Sequence, residues 1–190
     1  MAVSRAGSGE LSAAQTRVVD AAIDLFAEHG VGGTSLQMIA DQIGVTKAAV
    51  YHQFNTKEEI VLAAAEAELA RLAAVIDAAE TEASRKRARD VLVTGIVDLA
   101  VDRRRTVNTI LRDPVIVGYF AEHKRFRDVM HRLQHVLIGD DAGPEARVRT
   151  AMLIAAISGA IMHPFVADLD DEMLRRELVR LARGFLGLRG

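Results

Sequence analysis

A chain of 190 residues that is 50% hydrophobic and 26% charged, with a formal charge of -2, is large enough to bury a core without staples. This composition excludes a disordered polyampholyte, a histone-like basic chain and an acidic tail protein. The absence of cysteine excludes disulfide frameworks, thiolate zinc sites and cysteine nucleophiles, and it points to a reducing, cytoplasmic setting. Thirty-one alanines, and prolines confined to positions 114, 144 and 164, predict an all-α fold of about nine helices. The small, polar, glycine-dotted residues 1–10 read as a disordered tail rather than a signal peptide.

The first helix opens at Ser12, where Gln15 stands three residues on and completes a capping box. Val18, Val19, Ala22, Ile23 and Phe26 share one face, and the helix should end near Gly30. The glycines of the following turn lack both the preceding strand and the lysine of a phosphate loop. Thr34 or Ser35 then caps a short second helix with Leu36, Ile39, Ala40 and Ile43 inward, stopped at Gly44. Thr46 caps a third, with Val50 and Phe54 inward, and Thr56 with Glu59 forms a second capping box for a fourth helix running to about Glu80.

Beyond Glu80, the basic run Arg85, Lys86, Arg87 and Arg89 reads as a solvated helix face before an amphipathic segment at 91–101. A short helix from Arg103 is ended by Asp113-Pro114, and a long one is expected over 115–138. Pro144 suits the first position of a helix reaching about Phe165. Asp168 or Asp170 caps a last helix ending near Leu186. The uncharged residues 151–167 are too short for a membrane span and contain His163 and Pro164, so a buried helix is expected.

Two short helices joined by a glycine turn make a helix-turn-helix, and the spacing Ala40, Gly44, Val50 carries it. The small residue allows a close crossing, the glycine supplies positive φ, and the branched residue locks the second helix on the first. Around it, residues 25–57 read LFAEHGVGGTSLQMIADQIGVTKAAVYHQFNTK, and this window resembles the DNA-binding domain of TetR-family transcriptional regulators. The resemblance covers about the first 60 residues, and the remainder matches in length and helical pattern alone.

The resemblance implies a homodimer whose third helix enters the major groove of a double-stranded operator. That role falls on Thr46, Lys47, Ala48 and Ala49, with Lys47 as the one long donor able to reach a guanine edge. Tyr51, His52 and Lys57 match phosphate-gripping positions, and Thr34, beside Ser35, matches one that anchors the strand next to the second helix. Where the family often has two aromatics before histidine, this chain reads Tyr51-His52-Gln53.

Charge alone would not suggest DNA. Residues 1–60 carry four basic and seven acidic side chains, so binding must rest on local placement and on two subunits acting together. On this reading, residues 11–57 bind DNA and 58–190 bind ligand and dimerise. The dimer uses the last two helices, one rich in small residues (Ala151, Ala155, Ala156, Gly159) and one with the stripe Leu174, Leu178, Leu181, Phe185.

A regulator of this type needs a cavity in its second domain, within about 91–166. Asn108, Phe120, Met130, Met152 and His163 are the candidate lining residues for a hydrophobic or amphipathic effector. No cofactor or metal is expected: His131 and His135 are four apart on a helix, but no HExxH motif supplies a catalytic zinc site. There is also no GxSxG nucleophile motif, and Ser158 lies in a small-residue helix without a visible base. An all-helical enzyme, or a small-molecule-binding protein without DNA function, is the alternative.

Overall fold

The computed structural model describes residues 11–104, 123–140 and 142–188. Among them are eight α-helices: α1 (Ala13–Gly33), α2 (Leu36–Ile43), α3 (Lys47–Gln53), α4 (Lys57–Glu80), α5 (Arg85–Asp102), α6 (Lys124–Ile138), α7 (Pro144–Ala160) and α8 (Asp171–Phe185), with a 3-10 turn at Pro164–Val166. No strand occurs among the described residues. The expected tail at 1–10, most of the short helix from Arg103 to 113, and candidate residues Asn108 and Phe120 lie outside the described residues.

The helix ends follow local chemistry. Ser12 accepts the Gln15 amide while the Gln15 side chain accepts the Ser12 amide, so the predicted capping box is present. Gly30 breaks α1 with φ 72°, and Gly44 closes α2 in the left-handed region at φ 69°, ψ 38°. Pro144 occupies the first turn of α7, and Asp170 accepts the Met173 amide to start α8.

Three expectations about helix ends are corrected. Of the helix expected over 115–138, residues 115–122 lie outside the described residues, and the described helix begins at Lys124 after His123, whose backbone is extended. The helix expected to reach Phe165 stops at Ala160; His163, ahead of Pro164, turns extended and caps the 3-10 turn instead. At the start of α4, Thr56 accepts the Glu59 amide, but Glu59 reaches past Thr56 to accept the Asn55 amide at 2.7 Å, so the box closes one residue early.

The chain divides into two compact units, Met1–Ala64 and Ala65–Gly190. In the first, α1 packs on α2 and α3, burying Val18, Val19, Ala22, Ile23 and Phe26 with Ile39, Ala40, Val50 and Phe54. Ile39 and Val50 are fully buried, each contributing about 1.5–3 kcal/mol. The second unit has its own core, in which Ile76, Leu92, Val93, Val97, Leu137 and Leu153 interdigitate with Leu174 and Leu178.

The basic run at the start of α5 is solvated at Arg85, Lys86 and Arg87 but turns inward at Arg89, whose guanidinium donates to the Leu186 carbonyl at 3.4 Å. The uncharged stretch at 151–167 is buried along one stripe only, through Leu153, Ile157 and Ile161. Ala151, Met152, Ala155, Ala156 and Gly159 face outward, contrary to the expected buried helix. Its apolar residues run all around the helix, whereas packing within this chain reaches one side.

Gly95 permits α4 and α5 to touch, since a Cβ there would lie 2.5 Å from Val75 Cγ1. Gly95→Ala gains about 1 kcal/mol of helix propensity but must overcome overpacking of about 1–3 kcal/mol. We expect a net loss in denaturant unfolding that is largely relieved when Val75→Ala is combined with it. A strictly additive double mutant would show that the contact is not what the glycine serves.

Candidate nucleic-acid interface

The second and third helices form a compact motif for local reasons. Ser35 caps α2 by accepting the Met38 amide, and Thr46 caps α3 by accepting the Ala49 amide, both at 3.2 Å. Between them the Val45 amide returns to the Ala40 carbonyl at 3.0 Å, which the left-handed Gly44 makes possible. Ala40 and Val50 are both fully buried, as close crossing requires. Arg17 of α1 ties the end of α2 in place by donating to the Ile43 carbonyl at 3.2 Å. No periodicity marks that side chain; such a bond appears only once the chain is folded.

The outer face of α3 is open. Thr46, Lys47, Ala48, Ala49, Tyr51 and His52 are all exposed, Tyr51 by 46%. The Lys47 ammonium sits 5.5 Å from the centre of the Tyr51 ring, a cation–π contact that holds the donor along the helix. His52 Nδ1 lies 3.3 Å from Gln53 Nε2. The sequence-predicted residues Ser35, Thr46, Lys47, Ala48, Ala49, Tyr51 and His52 therefore share accessible positions on or beside the two short helices.

Thr34 and Lys57 are placed differently. Thr34 is buried, and its hydroxyl lies 3.2 Å from the Leu25 carbonyl and 2.9 Å from the Gly30 carbonyl, closing the α1–α2 turn from within. The half-buried Lys57 ammonium donates to the carbonyls of Val31 and Thr34 at 2.6 and 3.0 Å. Two of its three N–H donors thus serve this turn, and the charge lies against carbonyl dipoles. If Lys57 acts by holding the turn, Lys57→Gln lowers operator affinity and leaves the salt dependence of binding unchanged. A lysine neutralising a phosphate would instead reduce the slope by about 0.9 per half-site, which a titration across salt concentrations resolves.

In the second unit, the candidate effector residues are scattered. Met130 is half-buried against the apolar core, whereas Met152 is 58% exposed and His163 is an exposed cap accepting the Phe165 amide. His135 pairs with Asp140 at 2.9 Å, and the contact holds the Asp140 carboxyl below its ordinary value. No cluster among the described residues could hold a metal ion.

Short capped helices, a left-handed glycine between them and a solvent-facing third helix with a long donor make a helix-turn-helix of the kind that binds DNA. Residues 18–64 match the family described as "Bacterial regulatory proteins, tetR family". The chain is 32% identical over 128 residues to the HTH-type transcriptional repressor AcnR of Corynebacterium diphtheriae, covering 66% of each chain. It is 30% identical over 125 residues to the HTH-type transcriptional regulator YezE of Bacillus subtilis, covering 60% of this chain and 64% of that one. It thus spans just under two thirds of the length of these relatives. A solved TetR-family regulatory protein from Rhodococcus RHA1 shares the fold with a TM-score of 0.70, at 21% identity over 94% of this chain and all of that one. Residues 18–64 are thus a DNA-binding domain of the TetR family of bacterial regulatory proteins.

Proposed function

We propose that this chain is a cytoplasmic, homodimeric transcriptional repressor that binds a palindromic operator and is released by a small apolar or amphipathic effector. DNA binding is assigned to 11–57, with Lys47 reading a base edge. Thr46, Ala48 and Ala49 line the groove beside it, and Ser35, Tyr51 and His52 grip phosphates. Effector binding and dimerisation are assigned to 58–190. The observation that carries the reading is the open outer face of α3, with Lys47 held over Tyr51. The repressing sense follows the relative named as a repressor. No helix among the described residues is long and apolar enough to cross a membrane.

Support for the dimer comes from apolar surface left uncovered on α7 and α8: Val148 and Met152 are each 58% exposed, Leu181 54% and Phe185 37%. The effector acts only through differential affinity. One that weakens operator binding 100-fold must prefer the DNA-free form by about 2.7 kcal/mol. The test is capture of genomic DNA by the purified chain, followed by sequencing. A single palindromic motif enriched in intergenic regions is expected, and fragments without a shared motif would overturn the proposal.

A further inference from the structure

Three arginines of the second unit meet without a counter-ion. Arg85 and Arg89 are one turn apart on α5, so their side chains share a face. Arg89 donates to the Leu186 carbonyl at 3.4 Å, and Arg149 of α7 donates to the adjacent Phe185 carbonyl at 2.8 Å, with its guanidinium 5.6 Å from the Phe185 ring centre. The two consecutive carbonyls at the end of α8 thus bring Arg89 and Arg149 together. The Arg85 guanidinium packs over Gly139 at the end of α6, within 2.9 Å of where a Cβ would stand, so any other residue there would displace it.

The arginines of α8 that reach α5 find carboxylates: Arg183 pairs with Asp90, and Arg175 with Asp98 and Asp102. Arg85, Arg89 and Arg149 have none among the described residues. Arg89 Nε is also buried with no hydrogen-bond partner. The two carbonyls satisfy one N–H each, which explains why Arg89 and Arg149 lie at a helix end, but they leave the buried Arg89 Nε without an acceptor, while Arg85 and Arg149 stay open to solvent and to an incoming anion. Burial, together with the neighbouring Arg85 and Arg149 charges, holds Arg89 below the ordinary arginine value, the direction expected of a cation short of an anion. A buried donor without an acceptor, set among like charges, is destabilising until one arrives.

We propose that Arg85, Arg89 and Arg149 form a binding site for a small oxyanion, a phosphate- or carboxylate-bearing dianion, separate from the apolar core and independent of DNA binding. Guanidinium forks match both groups, and three converging forks favour two negative charges over one.

The test is a thermal-shift and calorimetric titration of the full chain with sodium phosphate and, separately, sodium succinate, at ionic strength fixed with sodium chloride. Saturable stabilisation by one or both dianions beyond chloride is expected, and the stronger of the two identifies the ligand group. Arg89→Gln should abolish it. Arg85→Gln and Arg149→Gln should each weaken it at least tenfold, and Arg180→Gln, which alters an exposed arginine paired with Glu177 on its own helix, should leave it intact. Should Arg89→Gln fail to fold, the other two variants carry the test. Equal responses to chloride and both dianions, or a response unchanged in the three variants, would overturn the proposal. So would charge neutralisation by a second copy, seen as dimer dissociation on dilution in Arg149→Gln with no anion effect in the unmodified protein.

Discussion

Gly159→Arg is expected to yield a folded monomer that no longer retards operator DNA. Gly159 is exposed, and nothing within this chain lies within 4 Å of a Cβ built there, so the arginine meets no obstacle inside one protomer. Folding should therefore be kept, with helical circular dichroism unchanged. In a dimer joined through α7 and α8 the same position is a close helix crossing. A guanidinium there would be stripped of water without a partner, a cost of several kcal/mol. On the proposed function, binding to the whole operator depends on joining two half-sites, because each first unit is short of basic residues. Losing the link removes the avidity worth about 100-fold or more. Light scattering that still finds a dimer would place the interface elsewhere, and a monomer that still shifts DNA would show that one half-site suffices.

Lys47→Ala should reduce operator affinity by about 1–3 kcal/mol per half-site, and so by roughly 5- to 150-fold for each, while relaxing preference at one base pair. The lysine is the long donor on a face otherwise made of alanines and a threonine, and its ammonium makes a cation–π contact with the Tyr51 ring. Tyr51→Phe keeps the ring beneath Lys47 and removes only the hydroxyl, so it should weaken binding evenly across sequences. Gel shifts on a panel of single-base operator variants separate the two effects. Unchanged affinity and unchanged base preference in Lys47→Ala would remove it from the reading face.

Much of the first unit was legible because its signals are local. Ser12, Ser35, Thr46, Gly30 and Gly44 act on amides and carbonyls within a few residues, and the periodic positions Ile39, Ala40 and Val50 are the buried ones. What escaped was long-range polar bonding. Lys57 looks like a phosphate lysine at its motif position, yet it reaches carbonyls 26 and 23 residues earlier, and Arg17 reaches 26 residues ahead. In the second unit, hydrophobicity showed which residues are apolar but not which of them this chain covers. Leu174 and Leu178 are buried, and Leu181 on the same stripe is 54% exposed. The same blindness hid Gly95, whose role depends on Val75 of another helix, and Arg89, which composition alone placed in solvent.

The commitment of Lys57 to the α1–α2 turn bears on how the protein searches a genome. The first unit has two lysines, and with Lys57 occupied by carbonyls, Lys47 is the one directed outward from a domain whose side chains are acidic on balance. Sequence-independent attraction to duplex DNA scales with the phosphates neutralised, so this surface offers little of it. On the proposed function, random chromosomal DNA should hold few molecules, and sliding along it should be brief. Arrival should then depend on collisions near the target rather than on long-range steering, and a modest number of copies should keep an operator occupied because so few are lost to the rest of the chromosome.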